Sequence, residues 1–137
     1  MRKAGLFVAL GFVGVFGFVV SGAEKPPADY AKAMKDISAA AAALGKIEPT
    51  DFDAAGKLGA TVKNSMLIVQ TYWRTKGVPD ALEQATKAIK AVDDLNVAAG
   101  MSSSDGVEAA VKDLRNTCGT CHTAHRERLA DGTYEIK

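Results

Sequence analysis

The chain has 137 residues, the usual length of a single domain, and carries 17 basic against 16 acidic side chains. This near-neutral balance argues against a nucleic-acid-binding protein, which would need a clustered basic surface. The two cysteines stand three positions apart. A disulfide between them would close a very small loop and add little stability, so a structural disulfide is a poor interpretation of the pair.

The first 23 residues have the pattern of a secretory signal peptide. Two basic residues precede an apolar run from Leu6 to Val20, and three small residues separate that run from Glu24. The run is shorter than the roughly 20 apolar residues of a comfortable membrane span. We therefore predict that residues 1–23 are removed on export to the periplasm. Residues 24–137 would then form one domain that is free of the membrane, with a retained N-terminal anchor as the alternative.

Beyond the signal, apolar residues recur with helical spacing in four segments. The first segment follows Pro26-Pro27, which suit a helix entry, and ends near Leu44 before Gly45. It contains five consecutive alanines, Ala39–Ala43. Such small side chains leave space that a flat porphyrin could fill, or they simply allow close helix packing.

The second and third segments are bounded by similar signals. The second opens at Thr50 with a sequence that resembles a capping box, and it ends before Gly77. The third is predicted to begin at Asp80, with Glu83 completing its capping signature, and to end before Gly100.

The fourth segment follows a serine-rich linker, and its apolar stripe runs from Val107 to Leu129 before Asp131-Gly132 breaks it. No segment has the alternation of a β-strand. Four amphipathic helices with short connections predict an all-α fold, an antiparallel four-helix bundle, in which cofactor sites are built from facing side chains.

The fourth segment carries the motif C-x-x-C-H as Cys118, Cys121 and His122. This motif is typical of covalent haem c attachment, in which the two thiols bond the haem vinyl groups and the imidazole binds the iron. Helical spacing places the three side chains on one face. We expect one covalent haem c, attached through both cysteines, with His122 as the proximal iron ligand.

The same residue types also occur in two other kinds of site. A Cys/His metal site would have to take all its protein ligands from one short helix, whereas zinc sites usually collect theirs from separated segments. A thiol redox pair is expected beside a βαβ unit, which this chain lacks.

A C-x-x-C-H motif near the C-terminus of an exported four-helix chain resembles the class II c-type cytochromes, the cytochrome c′ family. Arg126 matches the arginine that follows the motif in that family, whereas His125 replaces the usual aromatic residue. Only the motif is specific in this resemblance, which otherwise covers length and helix count. It implies a haem protein of the periplasm, and it allows a homodimer formed through the first two helices.

In the family, the first helix supplies the side chain on the distal side of the haem. Low-spin members have methionine there, and the sequence around Met34 resembles their first helix. The resemblance therefore implies Met34 as the distal iron ligand. Ile37, one turn further along the same stripe, is the alternative residue over the iron, as in five-coordinate members.

These observations favour a periplasmic monohaem cytochrome that carries single electrons between redox proteins and transforms no substrate. A His/Met pair suits this role because it keeps the coordination sphere unchanged when one electron moves. The first alternative is a five-coordinate cytochrome c′ that binds NO or CO. The second alternative is a non-haem metal-binding helical protein.

Overall fold

The computed structural model describes residues 22–137, so nearly all of the predicted signal peptide lies outside the described residues. Four helices follow one another along the chain: α1 (Ala28–Leu44), α2 (Phe52–Lys76), α3 (Pro79–Gly100) and α4 (Ser104–His125). The prediction of an all-α four-helix fold is confirmed. Within this range no helix is both long and apolar enough to cross a membrane.

Each helix packs against the next one in the chain, but α1 and α4 hardly touch. Connections of two to seven residues join the helices, so neighbours run in opposite directions. Their apolar stripes meet in one core, whose largest fully buried side chains are Leu95, Leu114, Val62, Val69 and Val92. Because the first and last helices make so little contact, the bundle has a cleft on that side.

The start of α2 differs by one residue from the prediction. Asp51, not Thr50, is the N-cap, and its carboxylate accepts a hydrogen bond of 3.1 Å from the Ala54 backbone N–H. Either side chain type can cap a helix, so the sequence pattern alone does not distinguish them. The predicted end is confirmed, because Gly77 follows the last helical residue with a left-handed φ of 68°.

The predicted start of α3 was also wrong by one residue. The helix begins at Pro79, after Val78, and no side chain caps it. A proline at the first helical position has no N–H to satisfy, so this start needs less capping than others. Glu83 does not cap the helix but forms an ion pair with Lys87, one turn further along. The Asp80 carboxylate forms a hydrogen bond with the His125 ring of α4.

The C-terminal part of the fourth segment is not helical, which corrects the prediction that its stripe continues to Leu129. After α4 ends at His125, the strands β1 (Arg126–Arg128) and β2 (Tyr134–Ile136) form an antiparallel hairpin. Asp131-Gly132 provides its turn, with Gly132 at a φ of 85°. The break predicted at these residues is therefore real, but it separates two strands.

Backbone hydrogen bonds join the hairpin to the beginning of the described chain. Glu24 donates its backbone N–H to the Ile136 carbonyl at 2.7 Å, and Ile136 donates its own to the Glu24 carbonyl at 2.8 Å. The Ile136 side chain is buried in the core. The two ends of the described chain thus meet beside the last turn of α4.

Candidate cofactor site

The motif residues lie on the buried stripe of α4. The N-cap Ser103 starts this helix by accepting a hydrogen bond from the Gly106 N–H. Val107, Ala110 and Leu114 then form its buried face. Cys118, Cys121 and His122 continue that face at helical spacing, are partly buried, and line one cavity together. The structure thus brings together the three side chains that the motif predicted.

This first cavity, of about 200 Å³, receives side chains from all four helices. Its wall is almost entirely apolar. The small residues Ala41, Ala85 and Ala88 line it, together with Ile37 and Val69. Ala41 therefore fits the interpretation that the small side chains of α1 leave space for a cofactor. Ala40 fits the alternative, close helix packing, because it is buried in the core.

A second cavity, of about 410 Å³, lies between the start of α1, the end of α4 and the hairpin. Cys121, His122 and Met34 line this cavity as well as the first. The two cavities are therefore parts of one cleft. Its size and apolar character are typical of small-molecule and cofactor sites, which measure roughly 300–1,000 Å³.

His122 has the properties of a metal ligand in its neutral form. Burial lowers the pKa of its imidazole, and the nearby Arg126 cation lowers it further. A lowered pKa keeps the ring neutral at pH 7, and only the neutral ring has a lone pair free for a metal.

The two cysteines are free thiols with raised pKa values. Burial raises the pKa of Cys118. It is also the largest cause of the rise in Cys121 from 9.0 to about 11, with smaller contributions from Cys118 and Asp80. Reactive redox cysteines have lowered pKa values, because the thiolate is the nucleophile. The environment of this pair therefore does not favour a thiol redox site.

Met34 lies in the same cleft as His122. Its side chain is partly buried and lines both cavities, whereas Ile37 is 5% exposed and lines the first cavity alone. Met66 also lines the first cavity, from α2. Met101 is 75% exposed in the loop between α3 and α4. Of the three methionines in residues 22–137, two therefore reach the cleft, and only Met34 belongs to α1.

His125 belongs to an aromatic cluster beneath the second cavity. Its Nε2 lies 2.9 Å from the Asp80 Oδ2, and its ring centre lies 5.1 Å from that of Trp73. Trp73 is 2% exposed, and its Nε1–H has no hydrogen-bond partner within residues 22–137. Tyr30 packs against the same tryptophan and lines the second cavity. The cluster therefore forms part of the wall of the second cavity and part of the core.

Several residues of the cleft were missed by sequence analysis. Ala85 and Ala88 come from α3, whose alanines match ordinary helix packing. Lys25 and Pro26 precede the first helix, and the second strand supplies Tyr134, Glu135 and Ile136. Nothing in the local sequence marks the five residues in or beside the hairpin, because their position depends on the pairing of Glu24 with Ile136.

Within the part of the chain that the structure describes, no group of three or more His, Cys, Asp and Glu side chains could hold a metal ion. No protein-family model matches the chain, and no curated protein or solved structure matches it either.

Proposed function

We propose that this protein is an exported monohaem c-type cytochrome that carries single electrons between periplasmic redox proteins. Cys118 and Cys121 would attach one haem c, with His122 as the proximal ligand and Met34 as the distal one. One observation carries the proposal: a C-x-x-C-H motif opens onto an apolar cleft that also contains a methionine of α1.

The shape and lining of the cleft suit a flat, apolar cofactor. The cleft lies where α1 and α4 fail to pack, and alanines from α1 and α3 widen it. Protein interiors are normally packed to crystal density, so a cleft through a small bundle needs an explanation. A porphyrin in the cleft would supply the missing contacts between the first and last helices.

Three cations line the second cavity and could hold the two haem carboxylates. Lys25, Lys35 and Arg126 form no ion pair with any described residue. The Arg126 guanidinium lies 4.2 Å from the ring centre of Tyr134, which fixes its position at the cavity. Charge-assisted hydrogen bonds to carboxylates are stronger than neutral ones. These residues would therefore orient the carboxylate edge of the haem toward the hairpin.

When bound, the haem would supply an iron that gains and loses one electron. The protein would set the ease of that step through the His122 and Met34 pair, since axial ligands and burial tune the reduction potential. The apolar walls would exclude water from the iron. No side chain would need to transfer a proton to a substrate, which agrees with a carrier and not an enzyme.

A second candidate function is a five-coordinate cytochrome that binds NO or CO. The position of Ile37 favours it, because this buried side chain lines the first cavity beside Ala41. If the Met34 sulfur did not bind the iron, Ile37 would cover an open iron position. A small neutral gas could then bind there.

A visible spectrum of the full chain, expressed in a host that attaches haem c, tests the proposal. We expect a low-spin spectrum in the oxidised protein and no change when CO is added to the reduced protein. A high-spin spectrum that shifts with CO would favour the gas-binding candidate. A colourless protein would contradict both haem functions, and a bound zinc ion would then favour a non-haem metal protein.

A further inference from the structure

The two ends of the described chain form a clip beside the cleft. We define the clip as residues 24–26 together with residues 134–137. Its centre is the pair of backbone hydrogen bonds between Glu24 and Ile136. The Glu24 carboxylate anchors the clip to α2, where it accepts a hydrogen bond from the Tyr72 hydroxyl and forms an ion pair with Lys76.

The clip forms one wall of the second cavity. Lys25 and Pro26 contribute from one end of the described chain, and Tyr134, Glu135 and Ile136 contribute from the other. Opening of the clip would therefore remove this wall.

The clip also forms hydrogen bonds with the last turn of α4. The Lys137 N–H donates to the His125 carbonyl at 3.2 Å, and its Nζ donates to the Thr123 carbonyl at 3.0 Å. The Arg126 N–H donates to the His122 carbonyl. The final carbonyls of a helix have no partners within it, and a helix end without partners frays. Lys137 thus restrains the turn that follows Cys121 and His122.

We propose that the clip closes the second cavity and positions the last turn of α4, so that Ile136 and Lys137 are positioning residues for His122. This role rests on the proposed function in one respect, that a haem occupies the cleft and His122 binds its iron. Ile136 and Lys137 would then hold the proximal ligand in place.

Thiol labelling of the full chain made without haem tests the clip. Cys121 lines both cavities, whereas Cys118 lines the first alone, so Cys118 is an internal control. Ile136→Asp places a charge at a buried site and should open the clip. We expect alkylation of Cys121 to become about tenfold faster, with a smaller change at Cys118, because local opening exposes only the nearby segment. Ile136→Val should keep the original rates.

Unchanged labelling in Ile136→Asp, or equal acceleration at both cysteines, would overturn the proposal. If Ile136→Asp loses its helical circular dichroism, Lys137→Met replaces it, because that variant removes only the Nζ bond to Thr123. We expect the same selective effect with a smaller magnitude, and its absence would count equally against the clip.

Amide hydrogen exchange of the haem-loaded chain provides a second readout. Residues 119–125 should exchange faster in Ile136→Asp than in Ile136→Val, with α2 and α3 unchanged. Equal exchange in both variants would contradict the positioning role. The labelling result does not depend on haem attachment, so failure of the clip and failure of the proposed function give different results.

Discussion

Met34 is the only methionine of α1, and it lines both cavities that meet at His122. A helical methionine often fills space in a core without any chemical role. Its position in the cleft makes a distal ligand geometrically reasonable, but packing and ligation predict different results when the sulfur is removed.

Met34→Leu keeps the side-chain volume and removes the sulfur. In the haem-loaded protein we expect a change from a low-spin to a high-spin spectrum, together with CO binding in the reduced state, because the iron loses one axial ligand. Met66→Leu is the matched control, since Met66 lines the first cavity from α2 and should keep the low-spin spectrum. An unchanged spectrum in Met34→Leu would remove Met34 from the coordination sphere.

Cys121 should make the stability of the haem-free chain depend on alkaline pH. Its pKa is about 11 in the fold against 9.0 for an ordinary thiol, so between these values the folded state binds more protons than the unfolded state. Stability is then fully present below pH 9 and falls as the pH rises toward 11. Cys121→Ser should reduce this loss, measured by urea unfolding at pH 8 and pH 10. Equal losses in both proteins would contradict the raised pKa.

The sequence was sufficient to predict the motif residues because their relation is local. Helical spacing alone places Cys118, Cys121 and His122 on one face. Other residues of the second cavity could not be predicted in this way. Tyr30 and Lys25 reach the cleft through contacts with chain segments that lie far away in sequence.

At the scale of helices and strands, local signals predicted where helices exist better than where they begin. Gly77 ends α2 as predicted, because its left-handed φ suits glycine. The hairpin was missed because Arg126–Arg128 is short and exposed at all three residues, so its sequence fits a solvated helix equally well. Its partner strand is held by the buried Ile136 and by Glu24, and neither contact is visible in a local pattern.

Two glycines distinguish close helix packing from open helix surface. A Cβ at Gly106 would lie 2.8 Å from the Ala98 Cβ, which cannot move without the α3 backbone. A Cβ at Gly56 would meet no atom within 4 Å. Gly106→Ala should therefore destabilise the protein by about 1–3 kcal/mol through overpacking. Gly56→Ala should stabilise it by up to about 1 kcal/mol through helix propensity.

Urea unfolding of the two alanine variants measures both effects against the original chain. A stabilising effect of Gly106→Ala would show that α3 and α4 are further apart than described. A destabilising effect of Gly56→Ala would indicate that this face of α2 is covered in solution.

For the molecule as a whole, the cleft follows from an incomplete bundle. Three successive helix pairs pack closely, but α1 and α4 do not. The sequence predicted four helices and a site on the last one, since both follow from periodicity and motif. It did not predict that the hairpin and residues 24–26 would enclose the cleft, because that arrangement depends on the pairing of Glu24 with Ile136, which lie far apart in sequence.

The covalent haem is the central claim, and the intact mass of the protein purified from a host that attaches haem c tests it most directly. We predict the mass of the processed chain plus one haem, retained after denaturation, and no such addition in the Cys118→Ser, Cys121→Ser double variant. A purified protein with the mass of the bare polypeptide, from a host that loads a known c-type cytochrome in parallel, would contradict the account.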